Sequence, residues 1–129
     1  MKLLLDTHTF LWWDSEPDKI SRSTLDLLEN EENSLILSVV SIWEIQIKNQ
    51  LGKLQINSAL ADLIQNQIQT NEVEIFPLTL LYVLNLSSLP MHRKDPFDRI
   101  LIAQANTENA ALVSNDSIFK RYPVQLVRT

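Results

Sequence analysis

The sequence predicts an α/β fold with a mostly parallel central sheet. Short apolar runs alternate with longer helical stretches, no internal repeat or low-complexity linker breaks the alternation, and 129 residues are enough for one core but not two. The whole chain, 1–129, is therefore read as a single domain with right-handed connections between its strands. The alternation gives the fold class; it does not give the order of the strands.

Five apolar runs read as short strands, some buried on both faces: residues 2–5, 35–40, 73–76, 111–114 and 124–127. Helices are expected between them at 21–30, 41–51, 58–70, 79–86 and 96–109, with a short helical turn near 116–120. The one glycine, Gly52, suits the C-terminal end of the helix that starts near Ser41. Asp95-Pro96 is a strong helix start, an aspartate cap followed by proline in the first helical position.

Composition excludes several classes. Hydrophobic residues make up 45% and charged residues 21%, ordinary globular usage that is neither disordered nor fibrous. The absence of cysteine removes disulfide scaffolds, thiol nucleophiles and thiolate zinc sites together. The apolar run after Met1 is too short for a signal-peptide core, and no stretch approaches the roughly 18 apolar residues of a membrane span, which points to the cytoplasm and to no membrane contact. A net charge of -5 is the wrong sign for gripping nucleic acid through a broad basic surface. It is compatible with an acidic pocket that holds divalent cations, or with a basic partner protein.

In a parallel α/β sheet, ligands bind beyond the carboxyl ends of the strands, at the switch point of the strand order. Asp6 closes the first apolar run and Asp116 follows the fourth, while Glu44 and Asp98 fall in the first turns of helices that start near that edge. Each acid also has a purely structural explanation. Asp6 and Asp116 are good N-caps for 7–13 and 117–120, and Asp98 sits well against the dipole of the helix opened by Asp95. Ser41-Ile42-Trp43-Glu44 fits a capping box, and Glu44 can also pair with Lys48 one turn on.

A helical wheel of 41–51 nevertheless carries two polar arcs, Gln46, Asn49 and Gln50 against Ser41, Glu44 and Lys48, where an amphipathic helix needs one. One arc should face water and the other a polar cleft or partner. Arg93, Lys94 and Arg99 cluster around a helix start where cations oppose the dipole, which phosphate contacts or a solvated loop would explain. His8 and His92 have no metal-ligand spacing, and Trp12 and Trp13 are expected in packing or an interface. Four acids at one sheet edge repel one another unless cations are present, and Mg²⁺ or Mn²⁺ suits a set of carboxylate oxygens.

Four segments carry a resemblance: 3–13 with Asp6-Thr7-His8, 38–45 with Trp43-Glu44-Ile45, 92–105 with Asp95-Pro96-Phe97-Asp98-Arg99, and 112–116 ending in Asp116. Together and in this order they resemble the PIN-domain family, more narrowly its VapC-type toxins of bacterial toxin–antitoxin pairs. The resemblance implies a Rossmann-like, three-layer fold whose sheet of about five parallel strands has the order 3-2-1-4-5. It implies that Asp6, Glu44, Asp98 and Asp116 bind one or two Mg²⁺ or Mn²⁺ ions and orient a water that cleaves RNA to leave a 5′-phosphate. It also implies a homodimer and a VapB-like antitoxin. The alternative is a non-catalytic α/β module whose acidic groove binds a basic peptide; an aspartyl phosphatase is disfavoured because the first strand lacks the D-x-D pair.

Overall fold

The computed structural model describes residues 1–91 and 95–129. Five strands form one parallel sheet: β1 (Lys2–Leu5), β2 (Ser34–Ser38), β3 (Glu74–Phe76), β4 (Ala111–Ser114) and β5 (Leu126–Arg128), in the order β3-β2-β1-β4-β5. This is the order the resemblance implies. The helices are α1 (Thr7–Ser15), α2 (Arg22–Glu29), α3 (Val39–Gln50), α4 (Leu60–Asn71), α5 (Leu80–Asn85) and α6 (Pro96–Thr107). Short 3-10 turns lie at Pro17–Lys19, Leu86–Ser88 and Ser117–Arg121.

The apolar runs become strands because alternate side chains find a core on each face of the sheet. Leu3, Leu5, Leu35, Leu37, Ala111 and Val113 pack with Phe10, Ile20, Leu28, Ile45 and Leu63, which belong to or flank α1 to α4. Leu4, Ile36 and Leu112 point the other way, onto Leu101, Ile102 and Ala105 of α6 and onto Phe119 and Tyr122. The result is three layers, with helices on both faces. From β1 the chain runs outward through β2 to β3 and then returns to β4 on the other side, so the order reverses between β1 and β4.

Some boundaries differ from the sequence reading. The stretch 7–13, expected only as a capped segment, belongs to the nine-residue helix α1. β2 ends at Ser38 and α3 begins at Val39, two residues before the expected start. Val39 and Val40 look like strand residues because they are β-branched. Ser38 overrides them by taking the cap position, its hydroxyl accepting from the Val40 N–H at 3.1 Å. β5 is also shorter and later than expected, starting at Leu126. Gly52 follows α3 with φ +73, the left-handed conformation expected of a terminating glycine. Among the described residues no helix is long and apolar enough to cross a membrane.

Candidate active site

The switch point between β1 and β4 is closed by hydrogen bonds that involve two of the predicted acids. The Asp6 N–H continues the sheet ladder beyond β1 by donating to the Val113 carbonyl at 3.1 Å. Its carboxylate accepts from the Thr9 N–H at 2.8 Å, capping α1, and from the Ser114 hydroxyl at 2.5 Å. The Ser114 hydroxyl in turn accepts from the Asp116 N–H at 3.0 Å, and Asp116 caps the following turn by accepting from Ile118 N–H at 3.0 Å. Ser114 is fully buried and so joins the exits of the two neighbouring strands. Thr9 adds a second tie from α1 to β4, its hydroxyl donating to Val113 O at 3.1 Å.

Asp6 is 8% exposed, and burial raises its pKa above the ordinary aspartate value despite the donors from Ser114 and Thr9 and the nearby His8. A carboxylate kept dry in this way is held against its solvation preference, and a cation in the cleft would offset that penalty.

Glu44 differs from the sequence reading in a way that bears on function. Because α3 starts at Val39, Ser41 lies inside the helix and the capping box does not form. The Glu44 carboxylate accepts instead from the Thr7 hydroxyl at 2.6 Å and from Lys48 Nζ at 2.7 Å. The two polar arcs are thereby explained: Ser41 and Glu44 are buried toward the protein, and Gln46, Asn49 and Gln50 face outward or stay partly exposed. Trp43, on the outer side of α3, is 56% exposed and meets Phe97 edge to face, centroids 5.3 Å apart.

Asp98 lies in the first turn of α6, behind the cap in which Asp95 accepts from Phe97 N–H at 2.9 Å. Asp6, Glu44, Asp98 and Asp116 line one cleft of about 290 Å³, with Thr7, His8, Lys48, Asp95 and Asn115. Four separate stretches of chain thus deliver carboxylates to one place. A larger cavity of about 610 Å³ carries Glu29, Glu31, Glu72 and Glu74, but it opens where β2 and β3 begin. Ligands of parallel sheets bind at the opposite, carboxyl edge, so the smaller cleft is the candidate.

The sequence places Lys48 in a polar arc and as an ion-pair partner of Glu44, and it singles out neither Thr7 nor Ser114. The signal for both was their position beside an acid at a strand exit. Of the cationic cluster around Asp98, Arg99 is committed to structure, donating to the carbonyls of Leu86 and Leu89 at 3.1 and 3.3 Å. His92, Arg93 and Lys94 lie outside the described residues. Trp12 and Trp13 pack against the core, as expected of them, and Trp12 also borders the cleft.

The donor set of the cleft is hard oxygen with no thiolate, which fits Mg²⁺ or Mn²⁺ by chemistry. Among the described residues no three Asp, Glu or His side chains converge tightly enough to form a ready-made cage. Such a cage is not what Mg²⁺ requires, since it usually keeps several waters and takes one or two carboxylates.

Comparison with known proteins agrees with this architecture. The PIN domain model matches residues 3–125. Ribonuclease VapC22 of Mycobacterium tuberculosis is 27% identical over 116 residues, covering 88% of this chain and 86% of that protein. Among solved structures, VapBC2 from Rickettsia felis bound to a DNA fragment from their promoter superposes with TM-score 0.74 at 20% identity, covering 99% of this chain and 98% of the other. DNA-bound VapBC from Salmonella typhimurium gives TM-score 0.72 at 14% identity, with the same coverage. With its 3-2-1-4-5 sheet, the acids at the β1 and β4 exits and a family match over nearly its whole length, the chain belongs to the PIN-domain family.

Proposed function

We propose that this protein is a metal-dependent endoribonuclease of the VapC type, the toxin of a toxin–antitoxin pair. The observation that carries the proposal is the convergence of Asp6, Glu44, Asp98 and Asp116 on one cleft at the sheet's switch point. Similarity to a ribonuclease over most of the chain supports the reaction class.

Asp6, Asp98 and Asp116 would hold Mg²⁺ or Mn²⁺, with Glu44 beside them. When bound, the ion supplies Lewis-acid polarisation of the phosphate and lowers the pKa of water. The chain's own contribution is placement. Ser114 and the caps of α1 and of the turn after β4 hold Asp6 and Asp116 in one orientation each. Thr7 and Lys48 do the same for Glu44, whose carboxylate is then available to accept a proton from an attacking water. Partly buried walls keep that water oriented and the electrostatic interactions strong.

By the same resemblance the chain pairs with a second copy and with a VapB-like antitoxin whose basic segment complements the net charge of -5. The exposed Leu80, Leu81 and Leu84 of α5 offer apolar surface for one of these contacts.

The test is cleavage of RNA with Mg²⁺ or Mn²⁺ by the wild type, Asp6→Asn and Asp98→Asn. Cleavage that depends on metal and is lost in both variants is expected; cleavage that survives EDTA, or is unchanged in both, sinks the proposal. The competing reading of a non-catalytic binding groove draws on the capping roles that Asp6 and Asp116 do fill. Calorimetric titration with Mn²⁺ separates the two, because carboxylates serving only as caps bind no ion tightly.

A further inference from the structure

We propose that Lys48 is a substrate-binding residue, whose ammonium holds a non-bridging oxygen of an RNA phosphodiester inside the acidic cleft. The inference rests on the ribonuclease reading and deepens it. Five carboxylates line the cleft, those of Asp6, Glu44, Asp95, Asp98 and Asp116, and a phosphodiester brought among them meets like charge on most sides. A single divalent ion offsets less than half of that charge. Among the described residues Lys48 is the one Lys or Arg that lines the same cleft.

Its placement is unusual for a surface lysine, whose four-carbon stem normally carries the head out into water. Here Nζ is drawn to 2.7 Å from Glu44 Oε2, and Glu44 is itself anchored from the other side by the Thr7 hydroxyl at 2.6 Å. The Lys48 side chain, which lines the cleft, remains 38% exposed against 11% for Glu44, so the carboxylate is nearly enclosed while the lysine is still reached by solvent. An ammonium has three donors, and Glu44 occupies one. The remaining protons can be shared with a phosphate oxygen without breaking the pair. An i,i+4 pair on an open helix surface stabilises it by only a few tenths of a kcal/mol, whereas this one sits half-buried at the cleft wall.

The experiment measures binding of a fluorescein-labelled single-stranded RNA oligonucleotide by anisotropy, in an Asp98→Asn background with Mn²⁺ held constant and NaCl varied. Lys48→Ala is expected to weaken binding on the order of tenfold, the loss of one charge-assisted contact. It should also make the slope of log K against log salt shallower by about 0.7, the value of one single-strand phosphate contact. Lys48→Arg should keep the slope, and Glu44→Gln, which removes an anion from the cleft and leaves the ammonium in place, should not make it shallower. An unaltered slope in Lys48→Ala, or a Glu44→Gln variant that reproduces the loss, overturns the inference, since Lys48 would then act only by holding Glu44. Failure of the wild type to cleave the same RNA with Mn²⁺ would instead overturn the ribonuclease reading, so the two failures are told apart.

Discussion

Asp6→Asn should make the folded protein more stable while abolishing its activity. The Asp6 carboxylate is 8% exposed and accepts from Thr9 N–H at 2.8 Å and from Ser114 Oγ at 2.5 Å. Hydrogen bonds to an ionised acceptor contribute about 1.5–3 kcal/mol each, yet desolvation of a buried ion costs several kcal/mol. Burial outweighs these donors and raises the pKa, so the ionised form is the disfavoured one in the folded protein. An asparagine can keep Oδ1 on Thr9 N–H, while its Nδ2 donates to Ser114 Oγ, a reversed and neutral bond that leaves the Ser114 O–H to turn to another acceptor. The variant also relieves repulsion from the other carboxylates of the cleft.

The expected net gain at neutral pH is about 1–2 kcal/mol, or roughly 4–8 °C in Tm for a chain of this size. The pH dependence follows from the direction of the shift. A carboxyl whose folded pKa lies above its unfolded value favours folding while protonated, and that advantage is lost as pH rises through the folded pKa. The gap between variant and wild type should therefore be widest at neutral pH and close toward the ordinary aspartate value of 3.8. Thermal melts in EDTA across that range measure it. An Asp6→Asn protein that melts at or below the wild type at neutral pH, or a gap that does not narrow with acid, would refute the desolvation argument.

The start of α3 can be tested by comparing two serines. Ser38→Ala should lower stability by about 1 kcal/mol in denaturant unfolding through loss of the cap on Val40 N–H. Ser41→Ala should be close to neutral, because the buried Ser41 hydroxyl has no hydrogen-bond partner among the described residues; the reverse ranking would restore the capping box. At the far end of the sheet, Tyr82 is buried and donates to Glu108 at 2.7 Å, and its pKa is pushed up to about 12 by burial and by that carboxylate. The unfolded chain ionises first, so stability should fall between pH 10 and about 12. Tyr82→Phe should flatten that fall in alkaline unfolding curves.

The fold was legible because its three inner strands are buried on both faces and so read as plain apolar runs, such as Leu3-Leu4-Leu5. Asp6, Asp98 and Asp116 were legible as residues at strand exits and a helix start, whereas Glu44 lies in the second turn of α3 and not in the first as expected; strand order came from resemblance, since periodicity carries no information about which strand neighbours which. What remained hidden were contacts made across the chain. Thr7 reaches Glu44 over 37 positions and Ser114 reaches Asp6 over 108, and no local pattern announces either. The misplaced helix start had a different cause. Val39 and Val40 have strand-like side chains, and only the hydrogen bond from Val40 N–H to Ser38 Oγ decides against them.

The register of β1 against β4 pairs Leu5 with Val113, one residue short of Asp6 and Ser114. Sliding either strand by a single position would turn its leucines and valines out of one core and into the other. The spacing of the carboxylates is therefore an inherited property of the sheet, enforced by oily side chains that never touch a substrate. A lineage can replace most of its letters and keep the same geometry at the cleft, provided the strands stay apolar. Conversely, a core substitution far from the cleft that loosens this pairing should blunt the chemistry well before the protein unfolds.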